Sequence, residues 1–101
     1  MILIFAIASG MAWGAQITLA WDPNSEADLV GYKLYIGYYP RNYTQIVTLG
    51  RVTQYTITVT DGIPYYFSLT ACNAKGYESG FSNIVRYPSY PFQAYLPVVL
   101  K

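Results

Sequence analysis

The chain has no histidine and a single cysteine, Cys72, among its 101 residues. A zinc site of the usual kind needs several Cys or His ligands, so none is expected. Catalysis through a Ser-His or Cys-His pair is excluded on the same ground. One cysteine cannot make an internal disulfide framework. Charge is scarce as well: charged residues make up 11%, where an average domain has roughly 25%, while hydrophobic residues reach 53%. Such a composition folds rather than staying disordered. Net charge is +1, and Lys33, Arg41, Arg51, Lys75, Arg86 and Lys101 are scattered singly. No nucleic-acid partner is expected from so weak a field. What the chain has in quantity is tyrosine, 12 residues.

The first residues, "MILIFAIASGMAWGA", hold a continuous apolar stretch over residues 2–8 followed by small residues. An apolar core of about 7–15 residues before a small-residue site is the pattern of a secretory signal peptide. Cleavage after Ala12 or after Gly14 would place small residues at the two positions that matter. No Lys or Arg precedes the run, so either the true start lies upstream or the amino terminus supplies its only positive charge. The competing reading is a buried first strand of the domain. The stretch is too short to span a membrane, which takes about 20 apolar residues. Residues 1–15 are therefore read as a signal peptide and the protein as exported, to the periplasm, the cell surface or the medium, with no stable membrane span after cleavage.

From Gln16 onward, short runs alternate apolar and polar residues at period two. Ile17, Leu19 and Trp21 share one face; Tyr32, Leu34 and Ile36 share another; Tyr55, Ile57 and Val59 follow, then Tyr65, Phe67, Leu69 and Ala71. Turn-rich segments, "DPNSEAD", "PRNY", "TDGIP" and "NAKGYESG", separate the runs. No segment sustains a period of 3.6. Six strands rich in Tyr, Thr, Val and Ile at short spacing, the last of them "FSNIVRY" from Phe81 onward, predict an all-β sandwich or barrel.

The runs "ITLAWDP", "GYKLYIG", "TQYTIT" and "YYFSLTACNAKGYESGFSN" resemble, in order, strands B, C, E, F and G of a fibronectin type III domain, and most closely its bacterial secreted form. The likeness covers residues 16–86. It implies an immunoglobulin-like two-sheet sandwich with Trp21 at its centre, Tyr32 beside it, and Leu34, Tyr55, Phe67 and Leu69 in the core. It also implies that Tyr65 is the tyrosine corner, its hydroxyl bonded to backbone just upstream. Pro64, directly before Tyr65, departs from the family pattern and removes a backbone donor there. With residues 1–15 removed, strand A would be short or missing and the edge of strand B open to self-association.

Several candidate sites can be named from residue type. Asp22, Glu26 and Asp28 lie within seven residues and could in principle hold Ca²⁺ or act as a carboxylate pair. Their spacing matches no EF-hand loop, and a solvated turn accounts for them. No metal, cofactor or catalytic residue is expected, and the chain is not expected to be an enzyme. Tyr35 and Tyr66 should point outward, while Tyr38, Tyr39 and Tyr77 fall in or near loops; together they form the candidate binding surface for a protein or polysaccharide ligand. Outward tyrosines also stabilise a sheet by pairing across strands. Cys72, on the outward side of its strand, could bridge to another chain. "NYT" at residues 42–44 matches the N-glycosylation triplet. The tail, residues 87–101, contains Pro88, Pro91 and Pro97, and "YLPVVL" within it is expected to cover the open strand B edge. The role expected overall is that of a non-catalytic module for protein–protein or cell-surface interaction, with a carbohydrate-associated module or a strand-sharing assembly subunit as the alternatives.

Overall fold

Alternating apolar residues close on one another in pairs of strands. The computed structural model describes residues 4–10, 14–60 and 62–88. Seven strands form among them: β1 (Ile4–Gly10), β2 (Gly14–Trp21), β3 (Leu29–Tyr39), β4 (Asn42–Leu49), β5 (Gln54–Thr60), β6 (Tyr65–Asn73) and β7 (Val85–Tyr87). They make two antiparallel sheets, one ordered β1-β2-β5 and the other β4-β3-β6-β7. The fold is an all-β two-sheet sandwich.

The core lies where the inward faces meet. β2 contributes Ile17, Leu19 and Trp21; β3 contributes Tyr32, Leu34 and Ile36; β6 contributes Tyr65, Phe67, Leu69 and Ala71. Each fully buried Leu, Ile or Phe contributes about 1.5–3 kcal/mol relative to exposure. Trp21 and Tyr32 meet edge to face with ring centroids 5.5 Å apart. The Tyr32 hydroxyl accepts the Asn24 N–H at 2.9 Å, tying the β2–β3 loop to the core. Tyr55 is half-buried and packs at the margin of the cluster. The Trp21 indole N–H is buried with no acceptor among the described residues.

Tyr65 accepts the Thr60 N–H at 3.0 Å, closing a corner at the β5–β6 turn. Pro64 does not disturb it, because the donor lies five residues upstream and the missing proline N–H plays no part.

The first strand is a correction. A short or missing strand A was expected, yet residues 4–10 form a seven-residue strand paired along the whole of β2, from Ile4 opposite Trp21 to Gly10 opposite Ala15. β2 pairs β5 on its other side, so it is central and has no open edge. The physical reason is that a bare strand exposes a row of unpaired N–H and C=O groups. The apolar run satisfies them, and Ile4, 2% exposed, fills one end of the core. Asn83 locks this end: its Oδ1 accepts the Ile4 N–H at 3.1 Å and its Nδ2 donates to the Ile4 carbonyl at 3.1 Å. Self-association through an open β2 edge loses its premise. The tail expected to cover that edge falls outside the described residues from position 89 onward.

Trp21→Ala should cost about 3–5 kcal/mol, the range for truncating a buried tryptophan, and abolish cooperative thermal unfolding; a melting temperature within a few degrees of the parent would contradict the packing. Tyr65→Phe should cost about 1–3 kcal/mol by orphaning the Thr60 donor. Tyr66→Phe should change stability by less than about 0.5 kcal/mol, because its hydroxyl serves only a part-buried contact. Chemical denaturation of both variants checks that ranking.

Candidate binding face

The outer face of the β4-β3-β6-β7 sheet carries the side chains that alternate away from the core. Register places Tyr35 between Ile46 and Ser68, and Lys33 between Thr48 and Thr70. Tyr35, Tyr43 and Phe81 form a three-ring cluster here. Tyr35 meets Phe81 edge-on at 4.9 Å and Tyr43 at 5.6 Å, and Tyr43 meets Phe81 at 5.4 Å with planes 43° apart. Edge and tilted contacts are the favoured geometries for aromatic pairs and hold each ring in place. Phe81 nonetheless leaves 56% of its surface exposed.

A bulge aims Tyr43 into this cluster. Register between β3 and β4 shifts on both sides of Gly37. A Cβ at Gly37 would lie 2.1 Å from the Asn42 carbonyl oxygen, so only glycine lets the hairpin tip approach this closely. Bulges of this kind redirect neighbouring side chains. The tip itself is a two-residue turn, Pro40-Arg41, with Arg41 at φ 62°.

The other wall is the segment after β6. Ser79 and Ser82 donate their N–H groups to the Ala71 and Leu69 carbonyls, each at 2.8 Å. Their hydroxyl oxygens accept the Ala71 and Leu69 N–H groups at 2.9 Å. Side chains thus complete a ladder that backbone alone would make in a regular strand. This is why the final strand, expected from Phe81 onward, is confined to Val85–Tyr87. Between this segment and the hairpin tip opens a groove of about 550 Å³ lined by Arg41, Tyr43, Phe81, Ser82, Asn83 and Ile84.

Glu78 ties the β6–β7 connection to the sheet. Tyr35 donates to Glu78 Oε2, Thr70 Oγ1 donates to the same oxygen at 2.6 Å, and Lys33 Nζ lies 3.9 Å from Oε1. The Thr70 hydrogen bond, then that of Tyr35, and the Lys33 charge hold the Glu78 carboxyl below its ordinary pKa. The Tyr35 hydroxyl is pushed up to about 12, first by its bond to Glu78 and then by burial.

The five tyrosines named from sequence do not make one surface. Tyr35 is half-buried in the ring cluster. Tyr66, also on the outer face, accepts the Arg86 Nε–H at 3.2 Å, with the guanidinium 5.8 Å from its ring centroid. Tyr38 and Tyr39 belong to the end of β3, not to a loop. The Tyr38 ring packs at 5.4 Å on that of Tyr65, on the core side of the sheet. Tyr39 is 68% exposed at the hairpin tip. Tyr77, 70% exposed, lies at the other end of the sandwich, where Asn73 pairs with Leu29. β3 has 11 residues, which separates the two ends by roughly 30 Å.

Tyr77 borders a smaller cavity of about 210 Å³ with Glu26, Leu29 and Cys72. Cys72 is half-buried, and a single bridge pairs it with Glu78. Asp22, Glu26 and Asp28 are exposed in the β2–β3 loop. Among the described residues no three acidic or thiol side chains converge on a point. Sequence reasoning passed over Arg41, Phe81 and Glu78. Phe81 was read as the first residue of a strand, and the serine-mediated ladder that exposes it carries no periodic signal.

No protein-family model matches the chain. It is 36% identical over 84 residues to the Kelch domain-containing protein SSO1033 of Saccharolobus solfataricus, a match covering 82% of this chain and 11% of that protein. Among solved structures, an Fn3-like protein from Clostridium thermocellum superposes with a TM-score of 0.63 at 27% identity, covering 85% of this chain and 91% of that one. The third fibronectin III domain of human KIAA0343 gives 0.60 at 20% identity, covering 85% and 84%. Pectate lyase PelI from Erwinia chrysanthemi, solved with tetragalacturonic acid, gives 0.66 at 14% identity over 86% of this chain but 29% of its own.

The Glu78 network sets an acid limit to stability. Because the folded carboxyl has the lower pKa, its contribution is complete above the ordinary value of 4.5 and is lost as pH falls through the lowered one. Glu78→Gln should flatten the fall in melting temperature below pH 4.5 relative to the parent chain, as read by thermal denaturation across pH. Two packed sheets of three and four strands, the buried Trp21–Tyr32 contact and the Tyr65 corner, together with these superpositions, make the fold a fibronectin type III-like β-sandwich.

Proposed function

We propose that the chain is a non-catalytic interaction module of an exported protein, engaging a protein or polysaccharide ligand through the outer face of the β4-β3-β6-β7 sheet. The observation that carries this reading is the Tyr35–Tyr43–Phe81 cluster: its rings are fixed by one another, yet Phe81 stays mostly exposed. A rigid exposed aromatic offers contact area at little entropic cost. Among the described residues Asp22, Glu26 and Asp28 are exposed, and Glu78, which shares the smaller cavity with Glu26, is engaged by Tyr35, Thr70 and Lys33. Similar units occupying 11% of the Kelch domain-containing protein and 29% of the pectate lyase chain support a part carried on larger proteins.

A carbohydrate-associated role is the second reading. Exposed rings at fixed angles suit stacking against sugars, and the PelI structure that shares the fold holds an oligosaccharide. Export rests on the apolar run at residues 2–8, of which residues 4–8 belong to β1. Removal as a leader and service as the outer strand of β2 exclude each other, so the mass of the secreted chain distinguishes them.

The full chain should be retained on at least one material of a panel of immobilised polysaccharides and cell-envelope proteins, without releasing cleavage products. Phe81→Ala should abolish that retention while leaving the melting temperature within a few degrees. Retention untouched by Phe81→Ala, or turnover of any panel substrate, would contradict the reading.

A further inference from the structure

The fold sorts the few charges by position. Among the described residues Lys33 and Arg41 stand on or beside the outer face, and the acid there, Glu78, is engaged by Lys33, Tyr35 and Thr70. Asp22, Glu26 and Asp28 lie in the β2–β3 loop, toward the opposite end of the sandwich. Among the described residues the hairpin tip therefore presents the Arg41 charge, although the whole chain carries only +1. Arg41 lines the groove there, and among the described residues no carboxylate pairs with it. Its backbone, at φ 62°, sits in the left-handed region that a non-glycine side chain adopts at some cost.

Resting on the reading of this face as a ligand-binding surface, we propose that the groove between the Pro40-Arg41 tip and residues 81–84 binds a carboxylated sugar chain. Sugar rings stack on Tyr43 and Phe81, and the Arg41 guanidinium pairs with a uronate carboxylate. Charge complementarity selects an anion, and the planar fork of arginine suits a carboxylate in two-point contact. Two ring facets meeting at 43° offer a seat for each of two successive sugars, whose rings turn relative to one another along a chain. The volume of about 550 Å³ falls within the roughly 300–1,000 Å³ usual for small-ligand clefts.

The polar groups of the groove argue for a sugar over an acidic peptide. Both amide atoms of Asn83 are committed to Ile4. The Ser82 hydroxyl accepts from the Leu69 N–H and bonds the Ser68 hydroxyl and the Asn83 carbonyl. An extended peptide laid here would bury backbone donors and acceptors with few partners. A sugar stacks its C–H face on the rings and keeps its hydroxyls in water.

The test titrates the full chain with polygalacturonate, with the same polymer methyl-esterified, and with polyglutamate of matched charge, by affinity electrophoresis and calorimetry. Binding to polygalacturonate is expected, weakened about tenfold or more by esterification and by Arg41→Asn, and abolished by Phe81→Ala. Asparagine tolerates the left-handed backbone at position 41, so that variant should melt at or above the parent temperature and isolate the charge. Polyglutamate should bind at least tenfold more weakly. Equal binding of polyglutamate, equal binding of the ester, or indifference to Arg41→Asn would each overturn the proposal. If polygalacturonate fails to bind while Phe81→Ala still removes retention on another panel material, the sugar-acid proposal falls and the face keeps its role. If Phe81→Ala removes nothing on any material, both fall.

Discussion

Burial of the Trp21 and Tyr32 rings between the two sheets is the constraint on which the rest of the sandwich depends. The rings meet edge to face, and each residue is tied to a loop beyond the core. The backbone N–H of Trp21, not its ring, donates to the Thr53 carbonyl at 3.0 Å, which brings the loop before β5 alongside. Tyr32 reaches the Asn24 backbone and holds the β2–β3 loop. A contact that fills volume and also positions two loops is worth more to a small domain than its area implies, because a domain of this size buries a modest share of its surface.

Hydrogen bonds from side chains complete what the strands leave unpaired. Ser79 and Ser82 extend the edge of β6 where β7 does not reach, and Glu78 bridges that segment to β3 through Tyr35 and Lys33. Asn83 joins the same segment to the first strand of the other sheet. Residues 78–83 thus act as a clasp, and the exposure of Phe81 follows from it: flanked by bonded neighbours, its ring turns to the outer face and meets Tyr35 and Tyr43.

The start of the chain has two physical readings, and each follows from the same apolar content. A run of residues without charge can enter a membrane-translocation path, or can lie along an open strand and satisfy its edge. The sandwich takes the second, with Ile4 inside the core. Composition cannot separate these outcomes, since strand pairing depends on the β2 edge that the run meets.

The order of the strands, the inward faces of β2, β3 and β6, and the Tyr65 corner were legible in the sequence. Period-two alternation assigns each residue to one side of a pleat regardless of what lies opposite, and Ile17, Leu19, Trp21, Tyr32, Leu34, Phe67 and Leu69 follow it into the core. The make-up of the candidate face was not legible. Tyr38, three residues after Tyr35, follows the same alternation to the opposite side of β3. Arg41, Tyr43 and Phe81, by contrast, are brought together from separate segments by that bulge and by the serine ladder. Local pattern determined which residues are buried; which exposed residues became neighbours was decided only when two sheets, a bulge and a clasp closed around them.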